Sequence, residues 1–301
     1  MAHTIKNVAL AGGGGNVGAR VLEALLKLDF NVTVLSRSAK SFPGAAAVKV
    51  VDFNSVESIS AAIAGQDAVI DTTFSPDVET PLRLIDAAAE NGVYRFITSD
   101  FGLDPDLPGV HDMPVFGRKK ASYEAVKKHA AQNRLTYTLV ACGAFLDWSL
   151  SSGFSGLDFG AKKAFIFGDG NNVVPWTTLE DVGRATANVL LHPEETVNRP
   201  VYVHSVFMSQ NQIFDATKQV LGSEGWETTY NEMKPRLEKA LADLNAGRIS
   251  ASVFEVQIQY CLATKALAHP WARDDNALLG LKESDLETVK GLIQTIAHKA
   301  G

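Results

Sequence analysis

Apolar residues in the first 140 positions come in short dense runs, separated by stretches with helical spacing. The run 7–11 (NVALA) is almost wholly apolar and stops at a string of glycines. Continuous apolar character of this kind belongs to strands buried on both faces. Behind it, Val17, Val21, Leu22, Leu25 and Leu26 fall on one helical face, which predicts an amphipathic helix. The β-branched run 31–36 predicts a second strand, and 48–52 a third. A helix over 56–64, a strand over 68–71 and a helix carrying Leu82, Ile85, Ala88 and Ala89 follow. Then come a strand over 94–99, a helix around 119–133 and a strand over 136–141.

Strands that alternate with helices need crossover connections, and such units assemble a parallel sheet covered on both faces. The pattern therefore predicts an α/β protein of the doubly wound (Rossmann) class. Near residue 142 the rhythm breaks, and 143–170 is rich in glycine and aromatic residues. Thr178 precedes a helical pattern with Asp181 at the third helical position, a capping-box-like start. Strand character returns at 201–205, and the rest of the chain is mostly helical by pattern. We expect a large domain over 1–141, with 172–205 returning to it. A smaller, mostly helical lobe would comprise 142–171 and 206–301. Neither an internal repeat nor a low-complexity linker separates the two.

Composition narrows the partners. With 46% apolar and 21% charged residues over 301 positions, the chain is neither a disordered tail nor a disulfide-stapled miniprotein. A net charge of −6 argues against nucleic-acid or membrane surfaces, which call for clustered Lys and Arg. Cys142 and Cys261 form no CxxC pair, which suits a reducing compartment, and the seven histidines lack metal-ligand spacing. The first residues lack an apolar signal core, and no apolar run is long enough to span a bilayer. The expectations are a cytoplasmic monomer or homodimer, no metal, and a small-molecule partner.

The strongest chemical signal is AGGGGNVG, 11–18, which follows a strand and opens a helix. That context makes it a dinucleotide fingerprint in one of two registers: Gly13, Gly15, Gly18 or Gly12, Gly15, Gly18. Gly15 lets the backbone approach a pyrophosphate, Gly18 lets helix and strand pack closely, and the helix N-terminus at Asn16 and Val17 supplies N–H groups. NAD enzymes place an acid at the end of the second strand, but this chain has Arg37 there and no acid between Asp29 and Asp52. Arg37 can grip the 2′-phosphate of NADP, with Ser38 and Lys40 assisting. NADPH/NADP is therefore expected in preference to NAD. Asp52 and Phe53, and Thr72, Thr73 and Phe74, follow the third and fourth strands along the expected cofactor crevice.

The glycine turn, Arg37, the run 84–102 (LIDAAAENGVYRFITSDFG) and Tyr137-Thr138 resemble the isoflavone reductase-like and NmrA-like proteins, atypical short-chain dehydrogenases/reductases. The segments 143–148 (GAFLDW) and 176–183 (WTTLEDVG) are similar to the fungal branch. The likeness covers about 5–205 well and the tail loosely. It implies a doubly wound NADPH-binding domain, a smaller substrate-binding lobe and, in the reductase members, a catalytic lysine on the helix after the fifth strand. Lys119 and Lys120 both lie there. The family's Ser-Glu-Phe-Gly is Ser99-Asp100-Phe101-Gly102 here, and Ser99 would hydrogen-bond near the substrate oxygen or the nicotinamide.

A second constellation competes. Tyr123 and Lys127 fit YxxxK, a spacing that shares a helical face and lets a lysine lower a tyrosine's pKa. Yet Tyr123, Val126 and Ala130 also form a core-facing stripe. Phe145, Trp148 and Trp176 are candidates for an aromatic pocket wall. The combined expectation is an NADPH-dependent reductase acting on a carbonyl, imine or activated double bond of an aromatic, secondary-metabolite-like molecule. Two alternatives stand beside it: an NADP(H)-binding redox sensor without turnover, and a cofactor-retaining epimerase or isomerase.

Overall fold

The computed structural model describes residues 3–74 and 77–300. Its centre is a seven-stranded sheet built from β1 (Asn7–Ala11), β2 (Asn31–Ser36), β3 (Ala47–Val50), β4 (Ala68–Asp71), β5 (Arg95–Ile97), β6 (Thr136–Ala141) and an eleventh strand at Arg199–Tyr202. The order is eleventh strand, β6, β5, β4, β1, β2, β3, and all pairings are parallel. From β1 the chain winds outward to β3, then crosses back to β4. The switch point therefore falls between β1 and β4, where doubly wound sheets bind ligands at their carboxyl ends.

Helices cover both faces. On one side α1 (Asn16–Lys27) packs with a later helix, Leu179–Val189, over Val8, Leu10, Val32 and Ile70. A Cβ at Gly183 would lie 2.5 Å from the Arg20 carbonyl oxygen, so that glycine sets how closely these helices approach. On the other side α2 (Val56–Ile63), α3 (Glu79–Glu90) and α4 (Gly117–Ala131) bury Ile59, Ile63, Leu84, Ile85 and Val126 against Ala9, Leu35 and Val69. Thr178 caps the Leu179–Val189 helix by accepting from the Asp181 N–H at 3.2 Å.

The smaller lobe has its own core around Ile166, Trp176, Ile213, Cys261 and Ile293. It contains β7 (Ala144–Phe145), α5 (Leu146–Ser152), β8 (Leu157–Asp158), β9 (Lys163–Phe167), β10 (Val174–Thr177) and, after the Leu179–Val189 helix (α6) and Arg199–Tyr202 strand (β11), β12 (Val206–Met208). The strand β10, expected to return to the large sheet, pairs instead with β7 and β12 in a three-stranded sheet. The tail adds α7 (Gln210–Leu221), α8 (Met233–Asn245), α9 (Ala251–Ala263) and α10 (Leu286–Ala300). It also adds a strand the pattern did not predict, β13 (Glu227–Asn231), alongside β9. Among the described residues no helix is long and apolar enough to cross a membrane, and no cluster of His, Cys, Asp and Glu is arranged to hold a metal.

Candidate active site

The glycine turn joins β1 to α1 at the carboxyl edge of the sheet. Gly12 has φ +85°, and its carbonyl accepts from the Gly15 N–H at 2.9 Å, which closes the turn. At Gly15, the exposed N-cap of α1, a Cβ would meet only that carbonyl, at 3.4 Å. A Cβ at Gly18 would strike the Gly12 carbonyl and come within 2.6 Å of Thr72 Oγ1. Gly12 turns, Gly15 leaves the helix start open, and Gly18 permits contact between α1 and the strand ends. Gly12, Gly15 and Gly18 thus each meet a local demand of the turn. Gly13 is buried, with the Val34 side chain 3.1 Å from its would-be Cβ.

Among the described residues no side chain caps α1, and no acid lies in its first turn. The N–H groups of Asn16, which is exposed, and Val17, which rests on the core, therefore lie at the open end of the helix, where its dipole favours a phosphate. The residues present fit a dinucleotide. Arg37 lies just past β2, exposed, with no hydrogen bond or ion pair among the described residues. Ser38 and Lys40 are exposed beside it, Ser38 bonded through its carbonyl to Ser36 Oγ at 2.8 Å. Asp52 Oδ1 accepts from the Asn54 N–H at 2.9 Å, while Phe53 packs against the core below. The Phe42 ring sits over the turn, 3.7 Å from where a Gly13 Cβ would be, and nothing in the local pattern marked it.

At the end of β4, Thr72 Oγ1 donates to the Ala11 carbonyl at 2.7 Å. Thr73 is committed elsewhere than to a cofactor. Its N–H and hydroxyl both reach Asp71 Oδ1, at 2.8 and 2.6 Å, and Arg118 donates to its carbonyl and hydroxyl at 2.6 and 2.7 Å. Arg118 also pairs with the buried Asp71 at 3.4 Å. Ser99 Oγ donates to the Thr73 carbonyl at 3.0 Å, which joins the ends of β4 and β5. Phe74 is 95% exposed on the rim. The Asp71–Arg118 pair escaped the sequence reading, although an acid ending an apolar strand was a usable signal.

One position beyond Arg118, Lys119 projects inward from the first turn of α4. Its Nζ donates to the carbonyls of Asp100 and Phe101 at 2.9 and 3.1 Å and lies 4.0 Å from Asp100 Oδ1. A Cβ on Gly102 would lie 2.7 Å from Nζ, so the glycine of the SDFG run makes room for the lysine. Burial pulls the Lys119 pKa below the ordinary 10.5, against the opposing pull of Asp100. Lys120 points away into a surface ion pair with Asp112 at 3.1 Å, its side chain 45% exposed.

The YxxxK pair is not arranged as a proton-transfer pair. The Tyr123 hydroxyl donates to Asp106 Oδ1 at 2.9 Å, and burial together with that carboxylate drives its pKa upward. Lys127 stacks its ammonium over the ring, 4.1 Å from the centroid, and stays off the hydroxyl. Tyr123 is a core tyrosine, 6% exposed and edge-on to Tyr137. Of the proposed aromatic wall, Trp176 is only 2% exposed and donates Nε1–H to the Met208 carbonyl at 3.0 Å inside the small-lobe core. It also borders a small cavity with Phe167, Asn172 and Leu262. Phe145 and Trp148 remain half-buried at the start of α5, Trp148 tilted against Phe154.

A parallel sheet whose strand order reverses between β1 and β4, with an open glycine turn at that switch, defines an α/β protein of the dinucleotide-binding class. The NmrA-like family model matches residues 4–257, and the chain belongs to that family. It is 30% identical to the oxidoreductase poxI of Penicillium oxalicum over 287 residues, 91% of this chain and 90% of that one. Its fold superposes on isoflavone reductase with a TM-score of 0.75 at 22% identity, covering 97% of this chain and 100% of the other. The Citrobacter sp. triphenylmethane reductase, solved as a complex with NADP(H), gives 0.72 at 18% identity over 95% and 99% of the two chains.

Proposed function

We propose that this chain is an NADPH-dependent reductase acting on a carbonyl, imine or activated double bond of an aromatic, secondary-metabolite-like small molecule, with Lys119 as the proton donor. The observation that carries this reading is the single inward lysine at the start of α4, on the same edge of the sheet as the open glycine turn. The oxidoreductase relative and the reductase neighbours support the reaction class, and the NADP(H) complex supports the cofactor class. Bound NADPH supplies the hydride.

The chain's own residues do the rest. Gly15 and the start of α1 hold the pyrophosphate, and Arg37 takes the 2′-phosphate through charge-assisted bonds of roughly 1.5–3 kcal/mol each. The Lys119 ammonium protonates the anion that develops as the substrate is reduced, and its charge stabilises that anion beforehand. Its lowered pKa makes it a stronger acid than a surface lysine. Phe145 and Trp148 offer half-buried aromatic surface to the substrate from the small lobe.

The test has two stages. Titrating NADPH and NADH by nicotinamide fluorescence should show Arg37→Ala weakening NADPH about tenfold while sparing NADH; an equal loss of both would remove Arg37 from the phosphate site. NADPH consumption is then followed with a panel of aryl ketones, aryl imines and aryl-conjugated enones. Tight NADPH binding with no consumption across the panel would replace the reductase by a sensor.

A further inference from the structure

Asp100, three residues beyond β5, is 3% exposed and stands between two basic side chains. Its Oδ1 lies 4.0 Å from Lys119 Nζ, and its Oδ2 lies 3.7 Å from His111 Nε2. Neither Oδ2 nor Nε2 has a hydrogen-bond partner among the described residues. Buried polar atoms are seldom left so, and a side-chain shift of about half an ångström would bring the two into bonding range.

The surroundings leave Asp100 as the anion facing Lys119. Arg118, next along α4, adds a like charge. Cys142, beyond the end of β6, is a neutral thiol, its pKa pushed up to about 12 by burial. The Phe116 ring presents its face 5.4 Å from Nζ. His111 meets Asp100 on one side and the edge of the Tyr123 ring on another, at 6.1 Å between centroids. The loop bearing it is stapled by Tyr123 to Asp106, by Tyr202 to Asp104 at 3.0 Å, and by Lys120 to Asp112. Tyr123 and Lys120 thus help pin the loop that presents the histidine.

We infer that Asp100 and His111 are a positioning pair for Lys119: Asp100 is the counter-ion that keeps the half-buried ammonium charged, and His111 holds the carboxylate turned toward it. The pair rests on the reading of Lys119 as proton donor, but its test needs neither cofactor nor turnover. The Lys119 side chain retains 23% of its surface, enough for a small reagent. Competitive acetylation of the intact chain with trace acetic anhydride across pH, read at the Lys119 peptide by mass spectrometry, gives its titration midpoint.

In Asp100→Asn the midpoint should fall by about one pH unit or more, because an opposite charge at this distance favours the charged form. His111→Phe should lower it by a smaller step. His111→Gln, which keeps an N–H donor at similar reach, should stay close to the native chain. A midpoint unmoved in Asp100→Asn overturns the pair, as does an equal shift in the two His111 variants. If Asp100→Asn does not fold, as judged by thermal melting, the two His111 variants decide alone. A chain that consumes no NADPH yet shows these midpoints would overturn the reductase reading and leave the pair standing.

Discussion

Lys119 and Tyr123 stand one turn apart on α4, both directed into the protein, and each sits beside a carboxylate. The results are opposite. Lys119 is bonded to two backbone carbonyls, with Asp100 at 4.0 Å, and burial makes it easier to deprotonate. Tyr123 spends its hydroxyl on Asp106, and burial with that anion makes it harder to deprotonate. A donor that must give up a proton near neutral pH needs the first environment. A residue that must fasten a loop needs the second. Spacing along a helix says which side chains share a face, while the identity of the neighbouring group decides what they can do.

The largest effect separates Lys119 from its neighbour. Lys119→Met should lower kcat/KM by about 10²–10⁴ while NADPH binding persists, since a positioned general acid contributes about that factor. Lys120→Met loses only an exposed ion pair and should remain within about twofold. Comparable losses in the two variants would erase the contrast between inward and outward lysine. pH sharpens it. The donor works protonated and its pKa is lowered, so kcat/KM should decline as pH rises through a value below 10.5. A basic limb at or above the ordinary lysine value would place the donor elsewhere.

The two ends of the site differed in how plainly they could be read from the chain. The glycine turn is contiguous, and its three working glycines each answer a local demand of one strand–helix junction, so 11–18 disclosed it. The sheet was equally plain where strands are buried on both faces: runs 7–11, 31–36, 68–71 and 136–141 coincide with β1, β2, β4 and β6. Spacing back from Tyr137-Thr138 favours Lys119 over Lys120 only slightly; adjacent helical residues point about 100° apart, and it takes the packed position of α4 to show which one faces Asp100. His111 lies in an aperiodic loop and meets its partner only after β5 and α4 are assembled. Trp176 illustrates the same limit. In VPWT every residue of β10 is buried, and aromatic content alone does not separate a pocket wall from a core. The polar, exposed β13 carries no hydrophobic alternation to announce it.

A smaller effect tests Tyr123. Tyr123→Phe should leave kcat/KM within about threefold and cost stability, because the deleted hydroxyl bonds a carboxylate and such bonds are worth about 1.5–3 kcal/mol. Urea unfolding gives the loss directly. A drop in turnover on the scale of the Lys119 variant, with stability intact, would restore the tyrosine as a proton donor.

The smallest expected effect falls on Lys127, the lysine that YxxxK would make indispensable. Its ammonium lies over the Tyr123 ring face on the outer side of α4, where a cation–π contact is worth about 0.5–1 kcal/mol. Lys127→Met keeps the aliphatic stem against the ring and removes only the charge. Unfolding free energy should therefore fall by no more than that amount, and the pH profile of kcat/KM should not move. If the profile did shift, the Lys127 charge would be acting on a titrating group in the site. Lys119 and Tyr123 would then belong to one proton-transfer system, with Lys127 part of it.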